Sequence, residues 1–158
     1  MIPFPMRRQK MDSWCWAAVS AATEKYFDPA TGKTQCTIAS ELKEIHCCPR
    51  EEACNTAHSL RSALAKIGRL RGPVVEQSAP FQQIRNEIRD GFPVAARIAW
   101  NGGGGHFVVI TGYRIYPSGE EVITIADPLG ESGRWLYDDF VNAYQFTGRW
   151  THTYFLRP

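Results

Sequence analysis

Four residue types, at spacings that could bring them together, carry the chemistry this chain can perform: Gln9, Cys15, His106 and Asp127. From Ser13 to Phe27 the sequence is nearly all apolar or small, and Cys15, Ala18, Val19, Ala22 and Tyr26 recur at helical spacing. Asp12 and Ser13 are the expected N-caps, which places Cys15 on the second or third helical residue. The free N–H groups and positive dipole end of a helix stabilise an anion, so a thiol there is biased toward thiolate. A thiolate is the nucleophile of acyl transfer, and it needs a base nearby with a third group to orient that base. His106 begins one expected strand and Asp127 ends the next, which puts both at the open end of a hairpin; the sequence leaves the register open, and a bulge is one way to align them. Gln9 lies six residues before Cys15. From there its amide can return to the same spot and pair with the Cys15 backbone N–H as an oxyanion hole.

Taken singly, each residue has an ordinary structural role: a packed thiol, an exposed amide, a histidine bonded locally, an aspartate in a turn before Pro128. Their conjunction in order and expected element favours chemistry. His46, His58 and His152 are weaker candidates for the base. The glycines at 102–105 lead into a strand without a following Lys-Ser or Lys-Thr, so they are not a phosphate loop. They are expected to let a substrate backbone approach closely. Trp100 and Trp135 are read as core or as cleft wall, with the core the expected place.

The elements that must position these residues follow from periodicity. An extended arm is expected over residues 2–12, with Pro3 and Pro5 blocking helix. Helices are expected over 13–27, 37–46, 56–67 (closed by Gly68) and 80–90 (stopped by Gly91). A cysteine-rich loop occupies 47–55. The period then changes, with strands over 93–100, 106–116, 121–127, 134–136 and 149–156 and a helical turn or two over 137–144. Helices first and antiparallel strands second is the α+β pattern, with a cleft between the two halves. A single domain over 1–158 is expected, without repeats or an interdomain linker.

With 158 residues, 44% of them hydrophobic, the chain can bury a real core. A net charge of +2 with basic and acidic residues interspersed argues against nucleic-acid and membrane-surface partners. The first eight residues lack the charged-then-apolar order of a signal peptide.

Setting Cys15 aside leaves Cys36, Cys47, Cys48 and Cys54, an even number. Adjacent Cys47 and Cys48 are poorly placed to pair with each other. Two disulfide schemes remain, 36–47 with 48–54 or 36–48 with 47–54. The rival readings are a zinc site with His46 or His58, which lacks a Cys-x-x-Cys pair, and buried free thiols. Disulfides would place the protein outside a reducing cytosol, whereas reduced cysteines would be compatible with a cytoplasmic location.

Gln9, five intervening residues, then Cys15-Trp16-Ala17 resembles the active-site segment of papain-like cysteine proteases. Gly105 to Val109 with Gly112-Tyr113, followed by Ile125-Ala126-Asp127-Pro128, resembles the histidine and aspartate segments of compact bacterial members. Those include the bacteriocin-leader peptidases and the effector proteases of plant pathogens. An aspartate as third member fits that bacterial branch. Trp14 and Trp16 depart from the acidic and small residues that flank the cysteine in leader peptidases, and neither comparison has the cysteine-rich loop. The resemblance implies a papain-like fold, its nucleophile helix packed on an antiparallel sheet, and peptide-bond hydrolysis without metal or cofactor. Cys15 would be the nucleophile, His106 the acid and base, Asp127 its orienter, and Gln9 the oxyanion-hole amide. The substrate would be a protein or peptide, an exported effector or toxin the expected role, and an inhibitor or immunity protein a further candidate partner. The alternatives are an acyltransferase, deamidase or transpeptidase using the same residues, and a silent binding module that keeps the fold.

Overall fold

The structure is a computed structural model that describes residues 1–130 and 132–158. Its elements are α1 (Cys15–Phe27), α2 (Gln35–Lys43), a 3-10 turn (Glu51–Cys54), α3 (Leu60–Lys66) and α4 (Phe81–Arg89). There follow β1 (Val94–Trp100), β2 (Gly105–Ile115), β3 (Glu121–Ala126), β4 (Ser132–Leu136), α5 (Tyr137–Ala143) and β5 (Gly148–Phe155). The five strands form one antiparallel sheet in the order β4-β3-β2-β1-β5. This is the expected α+β, papain-like architecture. No described helix is long and apolar enough to cross a membrane.

The sheet divides two apolar cores. On one face Ala95, Phe107, Val109 and Tyr154 pack with Trp14, Trp16 and Val19 of the α1 region, Ile38 of α2 and Leu60 and Leu64 of α3. On the other, Val94, Ala96, Ile98, Val108, Ile110, Ile123 and Ile125 pack with Phe81, Ile84 and Ile88 of α4 and Phe140 of α5. The alternation of these strand residues is what period-two burial on a two-faced sheet requires. The fourth helix therefore covers the far side of the sheet and does not join the helical half.

Three helix starts differ from expectation, each because of hydrogen bonds that periodicity does not show. α1 begins at Cys15 itself, with Trp14 as an N-cap that makes no side-chain capping bond. Asp12 and Ser13 do not cap it, because they belong to the preceding loop. There the Ser13 N–H donates to Asn55 Oδ1 at 2.9 Å and the Asp12 carbonyl accepts from Gln9. α2 starts at Gln35, two residues before the expected 37, because Thr34 and Thr37 form a reciprocal capping box. α3 starts at Leu60 and not at 56, capped by Ser59, while the Thr56 carbonyl is taken by the Trp16 indole.

One irregularity matters for the site. β2 pairs Val109 with Ala126 and Ile110 with Ile125, then skips Thr111 and resumes at Gly112 with Thr124. This bulge changes which face later residues present. His106, Val108 and Ile110 alternate onto one face, and the bulged register brings Ile123 and Ile125, and Asp127 by continuation, onto that same face. In an unbulged register Asp127 would lie opposite Val109, on the other face. The expected arm over 2–12 has no regular structure, and it braces this point. The Ile2 N–H donates to the Thr111 carbonyl at 2.7 Å, and further along the Gln9 N–H donates to the Pro128 carbonyl at 2.8 Å.

Candidate active site

Cys15 enters the site from the first residue of α1, and the cysteine-rich loop fixes where that residue sits. Cys36 is bonded to Cys48 and Cys47 to Cys54, the second of the two disulfide schemes, and Cys15 is free. With these four cysteines bonded to one another, no thiolate is left among them for zinc. The loop grips the tryptophans on either side of Cys15. The Trp14 indole donates to the Cys54 carbonyl at 2.8 Å and the Trp16 indole to the Thr56 carbonyl at 3.0 Å, and both side chains are buried. The flanking tryptophans are thus braces that face the core.

His106 is the second residue of β2, and its Nε2 lies 2.7 Å from Asp127 Oδ1. Both residues are buried. The carboxylate is itself held from two further directions. Leu129 N–H donates to Oδ1 at 2.8 Å and the Tyr144 hydroxyl donates to Oδ2 at 2.7 Å. Trp100 stacks on the His106 ring with centroids 6.0 Å apart, and it stacks on Tyr144 in turn. Trp100 is therefore a wall of the cleft, where a core position was expected, while half-buried Trp135 packs against Tyr144.

Burial works against the charged form of His106, but the Asp127 carboxylate and the Cys15 sulfur outweigh it and push the imidazole up to about 9. Burial likewise opposes the charge on Asp127. The hydrogen bond and charge of His106, with the Leu129 and Tyr144 donors, outweigh it and hold the carboxyl below its ordinary range. The pair is thus set as imidazolium and carboxylate at neutral pH.

Gln9, Cys15, Trp16, Trp100, Gly105 and His106 line one cleft of about 390 Å3. Gln9 is placed there by its neighbours: Gln35 accepts from the Lys10 N–H and donates to the Arg8 carbonyl. Its own Nε2 donates to the Met11 and Asp12 carbonyls at 3.0 and 2.7 Å, while its Oε1 is buried without a partner. Of the other histidines, His46 is exposed on the cysteine loop. His58 packs on Trp16 at the cleft edge, and His152 bonds to Thr151 away from Cys15. Among the described residues, no cluster of histidine, cysteine and carboxylate side chains could hold a metal ion.

The glycines before His106 shape the turn that leads into β2. Gly103 and Gly104 adopt positive φ in the turn joining β1 to β2, which a side chain would strain. Gly105 is covered by the Arg97 guanidinium, whose Nη2 would lie 2.8 Å from a Cβ placed there. Tyr144, Arg97 and the Leu129 N–H were not singled out for this site from the sequence. A tyrosine 17 positions after the aspartate carries no local signal of its contact.

A helix terminus carrying a free thiol, in one cleft with an imidazole–carboxylate pair, is an arrangement suited to acyl transfer through a thioester. A search of curated proteins finds no match to the chain. The model of the Peptidase_C39 like family matches residues 1–157, almost the whole length. The chain belongs to that family, and is a compact cysteine peptidase of the papain-like type.

Proposed function

We propose that the chain hydrolyses peptide bonds through a Cys15 acyl-enzyme, in one catalytic domain that works outside a reducing cytosol. The observation that carries this reading is the 2.7 Å His106–Asp127 contact in the same cleft as the free Cys15. The Cys15 sulfur attacks the scissile carbonyl and forms the C–S bond, and the carbonyl electrons move onto oxygen. His106, held as imidazolium by Asp127, gives its proton to the leaving amine as the C–N bond breaks. Water then attacks the thioester with His106 as base, and the Cys15 thiolate leaves. Asp127 keeps the ring oriented and balances its charge without exchanging the proton.

The oxyanion is met at the N-terminus of α1, where the first backbone N–H groups have no helical partner. Gln9 supplies a second donor when one of its bonds to the Met11 and Asp12 carbonyls opens. Export rests on the two disulfides, which persist in oxidising surroundings. An effector or toxin role, acting on a protein or peptide of another cell, is consistent with that compartment.

Cys15→Ala is the decisive variant. It is expected to abolish turnover of a peptide mixture while leaving the far-UV circular dichroism and melting temperature close to those of the parent. Undiminished cleavage by that variant would sink the assignment.

A further inference from the structure

Arg97 is a half-buried cation placed between two cavities, with no acid among the described residues to balance it. It lies on β1 directly opposite Phe107 of β2 and His152 of β5, on the face that carries Ala95 and Val109 under α1. Arg97 lines the cleft that holds Cys15 and His106, and also an adjoining groove of about 680 Å3 bounded by Arg61, Glu76, His152 and Tyr154. His58 and Phe107 are shared by the same two cavities, so the two spaces adjoin at Arg97.

The side chain is set in place. Its guanidinium lies across Gly105, the residue before His106, in space that any Cβ would fill. Its Nη1 donates to Thr151 Oγ1 at 3.1 Å. A guanidinium has five N–H donors, so most of its capacity is unspent. Elsewhere this chain balances such groups: Arg69 is 2.7 Å from Glu24, and Arg71 pairs with Glu87. Among the described residues, Arg97 has no carboxylate within 4.0 Å. The acid of the adjoining groove, Glu76, has a side chain 85% exposed and is directed toward His152. A partly desolvated, pre-oriented guanidinium without a partner is a receptor for a planar anion, above all a carboxylate.

We propose that Arg97 is a specificity determinant that binds a carboxylate of the peptide seated against Cys15, which makes acidic peptides the preferred substrates. The inference rests on Cys15 being the nucleophile. The carboxylate comes either from an Asp or Glu side chain close to the scissile bond or from a free C-terminus, and both offer the same two oxygens.

Three alkylating reagents test this without a known substrate: N-iodoacetyl-glutamate α-amide, N-iodoacetyl-glutamine with its free α-carboxylate, and the neutral N-iodoacetyl-glutamine α-amide. In the folded, disulfide-intact protein, one of the acidic reagents is expected to label Cys15 roughly ten- to a hundredfold faster than the neutral one, the worth of a charge-assisted hydrogen bond. Which acidic reagent is faster identifies the source of the carboxylate. In Arg97→Gln the acidic-to-neutral ratio is expected to fall to near one, while Arg97→Lys retains part of it. Equal rates for all three reagents in the parent overturn the inference, with no variant required. A ratio that survives Arg97→Gln also overturns it, and assigns the attraction to the His106 imidazolium. A folded protein whose Cys15 reacts with none of the three overturns the nucleophile reading and this inference together. Labelling at equal rates leaves the nucleophile reading standing.

Discussion

The Tyr144 hydroxyl, on the residue that follows α5, donates to Asp127 Oδ2 at 2.7 Å, while Oδ1 faces His106. The carboxylate is therefore clamped from the helix side and the strand side at once. Burial, reinforced by the neighbouring Asp127 charge, raises the Tyr144 hydroxyl far above the ordinary tyrosine range, so it remains a donor at any working pH. Tyr144→Phe is expected to cost roughly 1–3 kcal/mol of stability, because it leaves one carboxylate oxygen short of a buried donor. It should reduce turnover by less than loss of His106 does. Denaturant melts and peptide turnover measured together check both expectations.

The roles proposed for His106 and Asp127 are separable. His106→Ala removes the group that carries the proton, and should bring turnover near the Cys15→Ala background. Asp127→Asn keeps the geometry but weakens the orientation and charge balance of the ring, so its activity should lie between that background and the parent. If a folded Asp127→Asn variant is as inactive as His106→Ala, Asp127 acts in some way other than orienting the base.

The pH dependence has a definite sign. His106 is raised from 6.5 to about 9, so it is an imidazolium at neutral pH and loses its proton as pH climbs through about 9. Acylation, which needs that proton for the leaving amine, is expected to fall on the alkaline side with a midpoint near 9. Asp127→Asn should move this limb to lower pH, because the carboxylate is a main cause of the rise. Folding follows the same linkage: the folded state holds this proton more tightly, so the stabilisation is full below about 6.5 and is lost as pH rises through about 9. Single-turnover rates and melts between pH 6 and roughly pH 10 would show both effects. An alkaline limb indifferent to Asp127→Asn would remove the coupling.

The cysteine pairing can be counted. Protein produced under oxidising conditions should show one alkylatable thiol, mapping to Cys15, and five after denaturing reduction. Replacing Cys47 and Cys54 with alanine opens a loop of sequence separation 7, at a cost of roughly 2–3 kcal/mol. That loss should also slow alkylation of Cys15, because the Cys54 carbonyl holds the Trp14 indole at the start of α1. A double variant destabilised but with an unchanged Cys15 labelling rate would show that the loop stabilises the fold without positioning α1.

Most elements were legible from periodicity. α4 was clear because Phe81, Ile84 and Ile88 repeat at helical spacing before Gly91, and every strand was visible to within two residues. What was not legible depends on partners distant in sequence. Cys15 became the first helical residue because Asn55, 42 positions from Ser13, takes the Ser13 N–H. The choice between two disulfide schemes depended on how the loop folds back, which spacing leaves open. Cysteine, histidine and aspartate announce themselves by type. Trp100, Tyr144 and Arg97 are residues that ordinarily pack or face solvent, and only the folded chain shows them around His106 and Asp127.

The residue skipped at Thr111 belongs to the N-terminal arm more than to the ladder. Ile110 opposite Ile125 and Gly112 opposite Thr124 are successive rungs on the β3 side, so a chain lacking Thr111 would close into a regular ladder with both pairings kept, and His106 and Asp127 would still share a surface. What such a chain would lose is the carbonyl that takes the Ile2 N–H. The surplus residue is thus a mooring for the segment that carries Gln9: its side chain is free to drift, and its deletion would be felt along the arm before it was felt at the His106–Asp127 pair.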